Sequence, residues 1–453
     1  MARLFGTDGI RGVANRELTG ELAFSLGRAV VCSLAVPGHS RPQILVGRDT
    51  RASGEFLEAA LAAGICSAGG DAVLLGVATT PAVAFLTSDL GATAGAVISA
   101  SHNPAEYNGI KFFGPNGYKV ADEVEGEIEA LVDADRADRP VGRDLGRVVH
   151  SSGARERYLR HLEAVPSASL EGMRLVVDCA HGAALAVAPE ALRRRGAEVI
   201  PIHNAPDGWN INEKAGAIAP ERMARTVVEV GADGGVAHDG DADRAIFADH
   251  LGRLIDCDQV LAACALDLQA RAELKGGVVV STVMANLGFR QAMAEAGITV
   301  IETKVGDRYV LEEMLRSGAL LGGEQSGHII FLKHATTGDG LLTALQFFGL
   351  ASASGRTVAE VADSMTRFPQ VLVNVEVADL EALEGSNHVW ETVRAAEQTL
   401  GERGRVLVRA SGTEPVVRVM VEAPTEEEAA RQASAIAGAV AEALGPVGME
   451  SPA

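Results

Sequence analysis

Residues 96–113 read AVISASHNPAEYNGIKFF. The opening Ala96-Val97-Ile98 has the apolar, β-branched character of a buried strand. Ser99-Ala100-Ser101-His102-Asn103-Pro104 then breaks the run with small polar residues and a proline. A strand that empties into a polar loop carrying Ser, His and Asn is where an open α/β sheet places its chemistry. Taken alone, a Ser-His pair is no more than a polar turn. Three other loops of complementary chemistry give it weight.

Working outward, the chain alternates strands and helices around this point. Segments 43–47, 72–76 and 95–99 read as strands, with helices over 52–68 and 81–87 between them. The same pattern recurs twice. Strands at 174–178, 198–202 and 234–237 enclose helices at 183–195 and 220–230. Strands at 277–281, 298–302 and 319–321 enclose helices at 287–296 and 307–316. Such alternation argues βαβ units with parallel strands. Beyond residue 367 the order changes to strand (371–377), helical segment (380–400), two strands (406–409, 416–421) and an Ala-rich helix (425–444). The fold class expected is α/β: three related mixed-sheet α/β domains followed by a C-terminal α+β domain. The boundaries expected are 1–150, 151–253, 254–368 and 369–453. The charged run at 133–147 and the stretch at 252–258 read as connections.

Bulk properties narrow the function. With 453 residues, 47% hydrophobic and 22% charged, the chain is an ordinary globular protein of several domains. A formal net charge of −20 and only 4% aromatic residues argue against nucleic acid and anionic membrane as partners. The five cysteines are scattered, with no CxxC pair, as expected of reduced thiols rather than a disulfide frame or zinc site. The N-terminal MARLFGTD lacks an apolar signal core, and no apolar run reaches the ~20 residues a membrane span requires. A cytoplasmic protein is expected.

Each polar loop has its own chemistry. FGTDGIRG (5–12) places glycines around Arg11, a weak anion-binding signature. Asp239, Asp241 and Asp243 alternate in HDGDADR, and three carboxylates so close call for a cation; hard oxygen ligands suit Mg²⁺, Mn²⁺ or Ca²⁺. An EF-hand is excluded, because its sixth and twelfth positions fall on Arg244 and His250. Glu324, Gln325, Ser326 and His328 offer a carboxylate, an amide, a hydroxyl and an imidazole suited to sugar hydroxyls or an amine. This loop is not a GxSxG elbow. Arg409, Ser411, Gly412 and Thr413, with Arg418 following, form a compact oxyanion cradle that is not a Walker loop. Lys111 could act on protons or developing charge beside a phosphorylated serine, or be a surface lysine.

Together these loops describe phosphoryl transfer on a phosphosugar. FGTDGIRG, ISASHNP, NGIKFFG, DGDADR, KVGDRY, GGEQSGH, TTGDG and RASGTEP span essentially the whole chain. On them it resembles the α-D-phosphohexomutases. The resemblance implies a four-domain, heart-shaped enzyme around a central cleft. Its domains would carry, in order, the phosphoserine, the metal, the sugar-reading loop and the phosphate loop. It implies an isomerase in which Ser101 is phosphorylated in the active form. Asp239, Asp241 and Asp243 would bind one Mg²⁺, completed by an oxygen on Ser101. Arg11, Lys111 and His328 would serve as acid/base or charge-stabilising groups. His102, Arg244, Glu324, Ser326 and His328 would touch the sugar phosphate. Arg409, Ser411, Gly412, Thr413 and Arg418 would hold its non-reacting phosphate. A hexosamine or glucose 1,6-bisphosphate is the implied activator, and a homodimer the implied assembly.

The FGTDGIRG opening and Gln325 resemble the branch that interconverts glucosamine 6-phosphate and glucosamine 1-phosphate, a step toward UDP-N-acetylglucosamine and the cell wall. A sister branch acting on glucose or mannose phosphates is the alternative. A metal-dependent phosphomonoesterase and a non-catalytic phosphosugar sensor are rivals from other classes. The first is disfavoured by the lack of His ligands near DGDADR, the second by the presence of every catalytic-type residue.

Overall fold

The computed structural model describes residues 4–6, 8–34, 41–132, 139–411 and 415–445. In chain order it begins β1 (Ile10–Val13), α1 (Gly20–Leu34), β2 (Gln43–Arg48), α2 (Ala52–Ser67), β3 (Asp71–Val77), α3 (Thr80–Asp89), β4 (Ala94–Ile98), β5 (Tyr107–Phe113), α4 (Asp122–Val132) and β6 (Val148–His150). There follow α5 (Ala154–Ala164), β7 (Arg174–Asp178), α6 (Ala188–Arg194), β8 (Glu198–Ile202), α7 (Glu221–Val230), β9 (Gly234–His238), β10 (Ala245–Asp249) and β11 (Leu254–Ile255). Next are α8 (Cys257–Ala270), β12 (Val278–Thr282), α9 (Leu287–Glu295), β13 (Thr299–Thr303), α10 (Asp307–Ser317), β14 (Leu321–Gly323), β15 (Ile329–Phe331), α11 (Gly340–Ser354) and α12 (Val358–Ala362). The chain closes with β16 (Gln370–Glu376), α13 (Ala382–Gly385), α14 (Asn387–Leu400), β17 (Arg405–Ala410), β18 (Val416–Glu422) and α15 (Glu426–Leu444).

The first three sheets share one topology. Their common strands run in the orders β3-β2-β4-β5, β8-β7-β9-β10 and β13-β12-β14-β15. In each the first three strands are parallel and the fourth is antiparallel to the third. The alternating pattern is therefore realised, and the sheets are mixed, as expected. Each polar loop is the connection of a hairpin, not an exit into a helix. The inner strands are dry on both faces: all five residues of β4 and of β9 are buried, as strands covered on both sides must be.

Helix starts carry the capping chemistry that the sequence supplies. Thr79 caps α3, which has Pro81 in its first turn, and Asp256 with Gln259 forms a capping box on α8. Thr425 caps α15 ahead of three glutamates, the charge favoured at a helix N-terminus. The segment 252–258 is thus not an open connection, since it pairs as β11 against β10 and then caps α8. The helix expected over 183–195 is a 3₁₀ turn (Ala183–Ala186) followed by α6, and 380–400 divides into α13 and α14. Residues 133–138 of the expected linker lie outside the described residues.

Two compact units emerge from the packing. One comprises Met1–Met284 and Gly297–Ser364; the other comprises Ala285–Ala296 and Met365–Ala453. The second holds the antiparallel sheet β16-β18-β17 over a core including Val389, Val417, Val419, Val421, Ile436 and Val440. Among the described residues no helix is long and apolar enough to cross a membrane. All five cysteines are free.

Candidate active site

The hairpin loops of the first three sheets converge within the first unit. Ser101 stands on the β4–β5 loop with φ 50°, a left-handed conformation rare for serine, and is buried. Its Oγ donates to Asp239 Oδ2 at 2.5 Å and lies 3.2 Å from His102 Nδ1. Asp239 heads the β9–β10 loop, and Ala242 in that loop is also left-handed at φ 60°. Non-glycine residues held in such backbone states gather where function over-determines the geometry. The two loops meet so closely that a Cβ on Gly240 would stand 2.4 Å from the Ser101 carbonyl oxygen, so only glycine fits there.

Asp239, Asp241 and Asp243 each present a carboxylate oxygen within 4.8 Å of the others, and all three are buried. Among the described residues this is the one such cluster of potential metal ligands. Oδ1 of Asp241 and Oδ1 of Asp243 are buried with no hydrogen-bond partner. Burial, with Asp243 and Asp241 alongside, pushes the Asp239 carboxyl well above the usual range. Orphaned carboxylate oxygens and crowded like charges in a dry place fit a hard divalent cation. The triad thus fits a metal site.

Cations surround it. Lys111, on β5 and buried, donates from Nζ to Asp241 Oδ2 at 2.9 Å and lies 3.6 Å from Asp243 and 3.7 Å from Asp8. Burial opposes its charge, but Asp241, Asp8 and Asp243 outweigh burial and keep it firmly protonated. Thr80 Oγ1 donates to the same Asp241 oxygen at 2.5 Å. His328, beside β15, has Nδ1 3.8 Å from Asp243 Oδ1 and accepts from the Gly338 backbone at Nε2. Burial works against its charge, yet Asp243 lifts it to about 9. Burial, then Arg244 and Arg11, lower His102. Arg11 pairs with Asp8, which also takes Lys119 at 3.3 Å.

The third loop is anchored with its acid inward. Glu324 Oε1 accepts from the Gly306 backbone at 3.0 Å, tying GGEQSGH to KVGDRY. Gln325 donates to the buried Asp258 at 3.1 Å. Ser326 is exposed at the tip. Arg244 is largely buried, with Nε 3.8 Å from Asp243. Ser101, His102, Lys111, Arg11, the three aspartates, Arg244, Glu324 and His328 thus share one region. A cavity of about 210 Å³ opens between Lys111, Lys119, Arg308, His328 and Asp8.

Arg409, Ser411 and Arg418 belong to the second unit. Arg409 and Arg418 are direct partners across β17 and β18. Burial, then Arg418, lower Arg409. Like charges directly opposite are unfavourable, and an anion between them would relieve the repulsion. Gly412 and Thr413 lie outside the described residues.

Sequence reading did not single out Asp8, Thr80, Asp49, Arg51 or Asn212. Asp8 sits inside the quoted FGTDGIRG. Thr80 could be found only as a hydroxyl in an apolar stretch. The other three carry no local signal.

Comparison with known proteins gives four consecutive matches, all described as phosphoglucomutase/phosphomannomutase. Alpha/beta/alpha domain I covers residues 2–139, domain II 156–252, domain III 256–368 and the C-terminal domain 372–439. A phosphoglucosamine mutase of Desulforamulus reducens is 55% identical, covering 93% of this chain and 95% of its own. One from Moorella thermoacetica is 56% identical, covering 94% of this chain and 97% of its own. The crystal structure of a phosphoglucomutase/phosphomannomutase family protein from Burkholderia thailandensis superposes with a TM-score of 0.80 at 24% identity, covering 97% of each chain.

Proposed function

Since the chain belongs to the phosphoglucomutase/phosphomannomutase family, we propose that it is an isomerase interconverting glucosamine 6-phosphate and glucosamine 1-phosphate through phosphorylated Ser101. The observation that carries this reading is the Ser101 hydroxyl 2.5 Å from a buried three-carboxylate cluster, with Lys111 on the same cluster. The two relatives above, alike over nearly the whole chain, support glucosamine phosphate as the substrate.

In the first half-reaction the sugar's free hydroxyl oxygen bonds to the phosphorus carried on Ser101, the P–Oγ bond breaks, and a 1,6-bisphosphate forms. In the second, Ser101 Oγ bonds to the other phosphorus and that sugar oxygen leaves as the hydroxyl. Asp239, Asp241 and Asp243 would hold a divalent cation, Mg²⁺ by family resemblance, which when bound supplies positive charge to the transferring phosphoryl oxygens. Lys111 and Arg11 add fixed positive charge. His328, buried beside Asp243, is placed to give or take a proton at the sugar oxygen. Glu324 and Ser326 would read sugar hydroxyls, with His102 and Arg244 on the phosphate. Arg409, Ser411, Gly412, Thr413 and Arg418 would hold a phosphate. The four domains expected from the sequence would divide these roles in order, in a cytoplasmic homodimer primed by a hexose 1,6-bisphosphate.

The test follows glucosamine 6-phosphate, glucose 1-phosphate and mannose 1-phosphate by phosphorus NMR. Each is incubated with enzyme, Mg²⁺ and a trace of glucose 1,6-bisphosphate, with Ser101→Ala as control. Conversion of the glucosamine ester ahead of the others, abolished in Ser101→Ala and without free phosphate, is the expected result. Faster turnover of the glucose or mannose esters overturns the substrate assignment. Accumulating inorganic phosphate overturns the mutase.

A further inference from the structure

A fully buried guanidinium lies beneath the Ser101 loop. Arg51, immediately before α2, is 0% exposed. Among the described residues its one acidic partner is Asp49, also 0% exposed, whose Oδ2 accepts from Arg51 Nε at 2.9 Å. Every other bond from the guanidinium goes to a backbone carbonyl of one short loop. The carbonyl of Ser101 accepts at 3.0 Å, that of Asn103 at 2.8 Å, and that of Pro104 accepts from the remaining amino group.

Asp49 extends the network to the other side of the serine. Ser99 Oγ donates to Asp49 Oδ2 at 2.7 Å and accepts the Ser101 backbone N–H at 3.0 Å. The peptide groups before and after Ser101 are therefore both gripped from the same Asp49–Arg51 pair. A second clamp arrives from the segment between β8 and α7. Asn212, left-handed at φ 60° and 5% exposed, donates to the same Ser101 and Asn103 carbonyls at 2.9 and 3.1 Å.

Burying a charge pair this completely carries a desolvation cost that often exceeds the Coulomb gain, so stability alone does not account for it. What the pair does accomplish is geometric. It holds Ser101 at φ 50°, a state serine does not choose, with Oγ aimed at Asp239. Only a planar fork with five donors can satisfy one carboxylate and three carbonyls at once; a lysine cannot.

We infer that Arg51, braced by Asp49 and joined by Asn212, is a positioning residue for phosphoryl transfer, fixing the Ser101 loop in its strained, aimed conformation without touching substrate. The inference rests on the proposed phosphoserine chemistry at Ser101. A loop free to relax by about 1 Å loses on the order of 10²-fold in rate, while sugar binding depends on other groups and metal binding chiefly on the three aspartates.

The experiment compares Arg51→Lys and Asn212→Ala with the unaltered protein. Five quantities are read: kcat and KM for glucosamine 6-phosphate, the rate of Ser101 phosphorylation by glucose 1,6-bisphosphate from intact mass, Mn²⁺ affinity, and Tm. In Arg51→Lys we expect kcat and the phosphorylation rate to fall together by about 100-fold. KM and Mn²⁺ affinity stay within about twofold, which a merely structural role would not produce. Asn212→Ala falls less, by about 10-fold, in the same two quantities. Should Arg51→Lys fail to fold, Asn212→Ala decides. A folded variant with unchanged kcat, or one losing metal affinity and KM in step with kcat, overturns the positioning role. If the unaltered protein interconverts the esters without ever phosphorylating Ser101, the phosphoserine reading fails first and the inference falls with it. The two failures are thus distinguished.

Discussion

At the scale of the residue, the strained positions around the three-aspartate loop are not confined to Ser101 and Ala242. Ala180, His181 and His203 are left-handed as well, at φ 52°, 51° and 45°. His181 Nδ1 is buried without a hydrogen-bond partner. His203 Nδ1 lies 2.8 Å from the buried Asp178, with the two imidazole rings 5.2 Å apart. Burial, then His203, lower the pKa of His181, with Asp178 and Asp207 opposing. A depressed histidine pKa favours the neutral form in the fold. Its stabilisation is therefore complete above the unfolded value near 6.5 and is lost as pH falls below it. Asparagine tolerates the left-handed region and cannot charge. His181→Asn should hold Tm at pH 7.5 and show a smaller fall in Tm between pH 7.5 and 5.5 than the unaltered protein, measured by calorimetry. An undiminished fall would show that His181 takes no part in acid sensitivity. Legibility at this scale follows from locality. Ser101, the three aspartates and His328 stand in short runs whose composition already announces chemistry. Arg51 and Asn212 grip the Ser101 loop through carbonyls 50 to 53 and 109 to 111 residues away in sequence, and no window of residues contains that relation.

At the scale of the element, helices and inner strands were readable because their signals are local: apolar period, caps and flanking turns. The fourth strand of each repeat was not. Tyr107–Phe113 carries Gly109 and Lys111 in mid-strand, and Ile329–Phe331 is only three residues long, so propensity gives little while tertiary pairing decides. Nor did any pattern reveal how closely α1 and α2 cross. A Cβ on Gly64 would stand 2.0 Å from the Phe24 carbonyl oxygen, a distance no side-chain movement relieves. Intrinsic propensity would make Gly64→Ala stabilising by up to about 1 kcal/mol in an isolated helix. The backbone clash reverses the sign, and overpacking of this kind costs about 1–3 kcal/mol or more. Urea unfolding should therefore show Gly64→Ala destabilised by at least 1 kcal/mol. A neutral or stabilised variant would mean that the two helices have room to separate.

At the scale of the whole molecule, the chain returns three times to one architectural idea and then departs from it. The departure is also where continuity in sequence and compactness in space part company. The second unit recruits residues 285–296 from far upstream of β16. Glu422 binds that recruitment together. Its carboxylate is fully buried and accepts from Asn286 Nδ2 at 3.2 Å, the Leu287 backbone at 3.0 Å, Gln370 at 3.3 Å and Arg405 Nε at 3.0 Å. Burial pushes its pKa up and Arg405 opposes this, yet four converging donors need an acceptor on every side. Glu422→Gln replaces one acceptor oxygen with a donor. It leaves a buried guanidinium or amide facing a like group, a loss of roughly 3–5 kcal/mol when a buried pair is broken. Because every one of these contacts lies inside the second unit, the loss should be read locally. Hydrogen exchange by mass spectrometry is expected to quicken in β16, β17, β18 and 285–296. Amides of β4 and β9, in the first unit, should keep their unaltered rates. Equal acceleration in both units would mean that they unfold as one cooperative body, and that the division in space is not a division in stability.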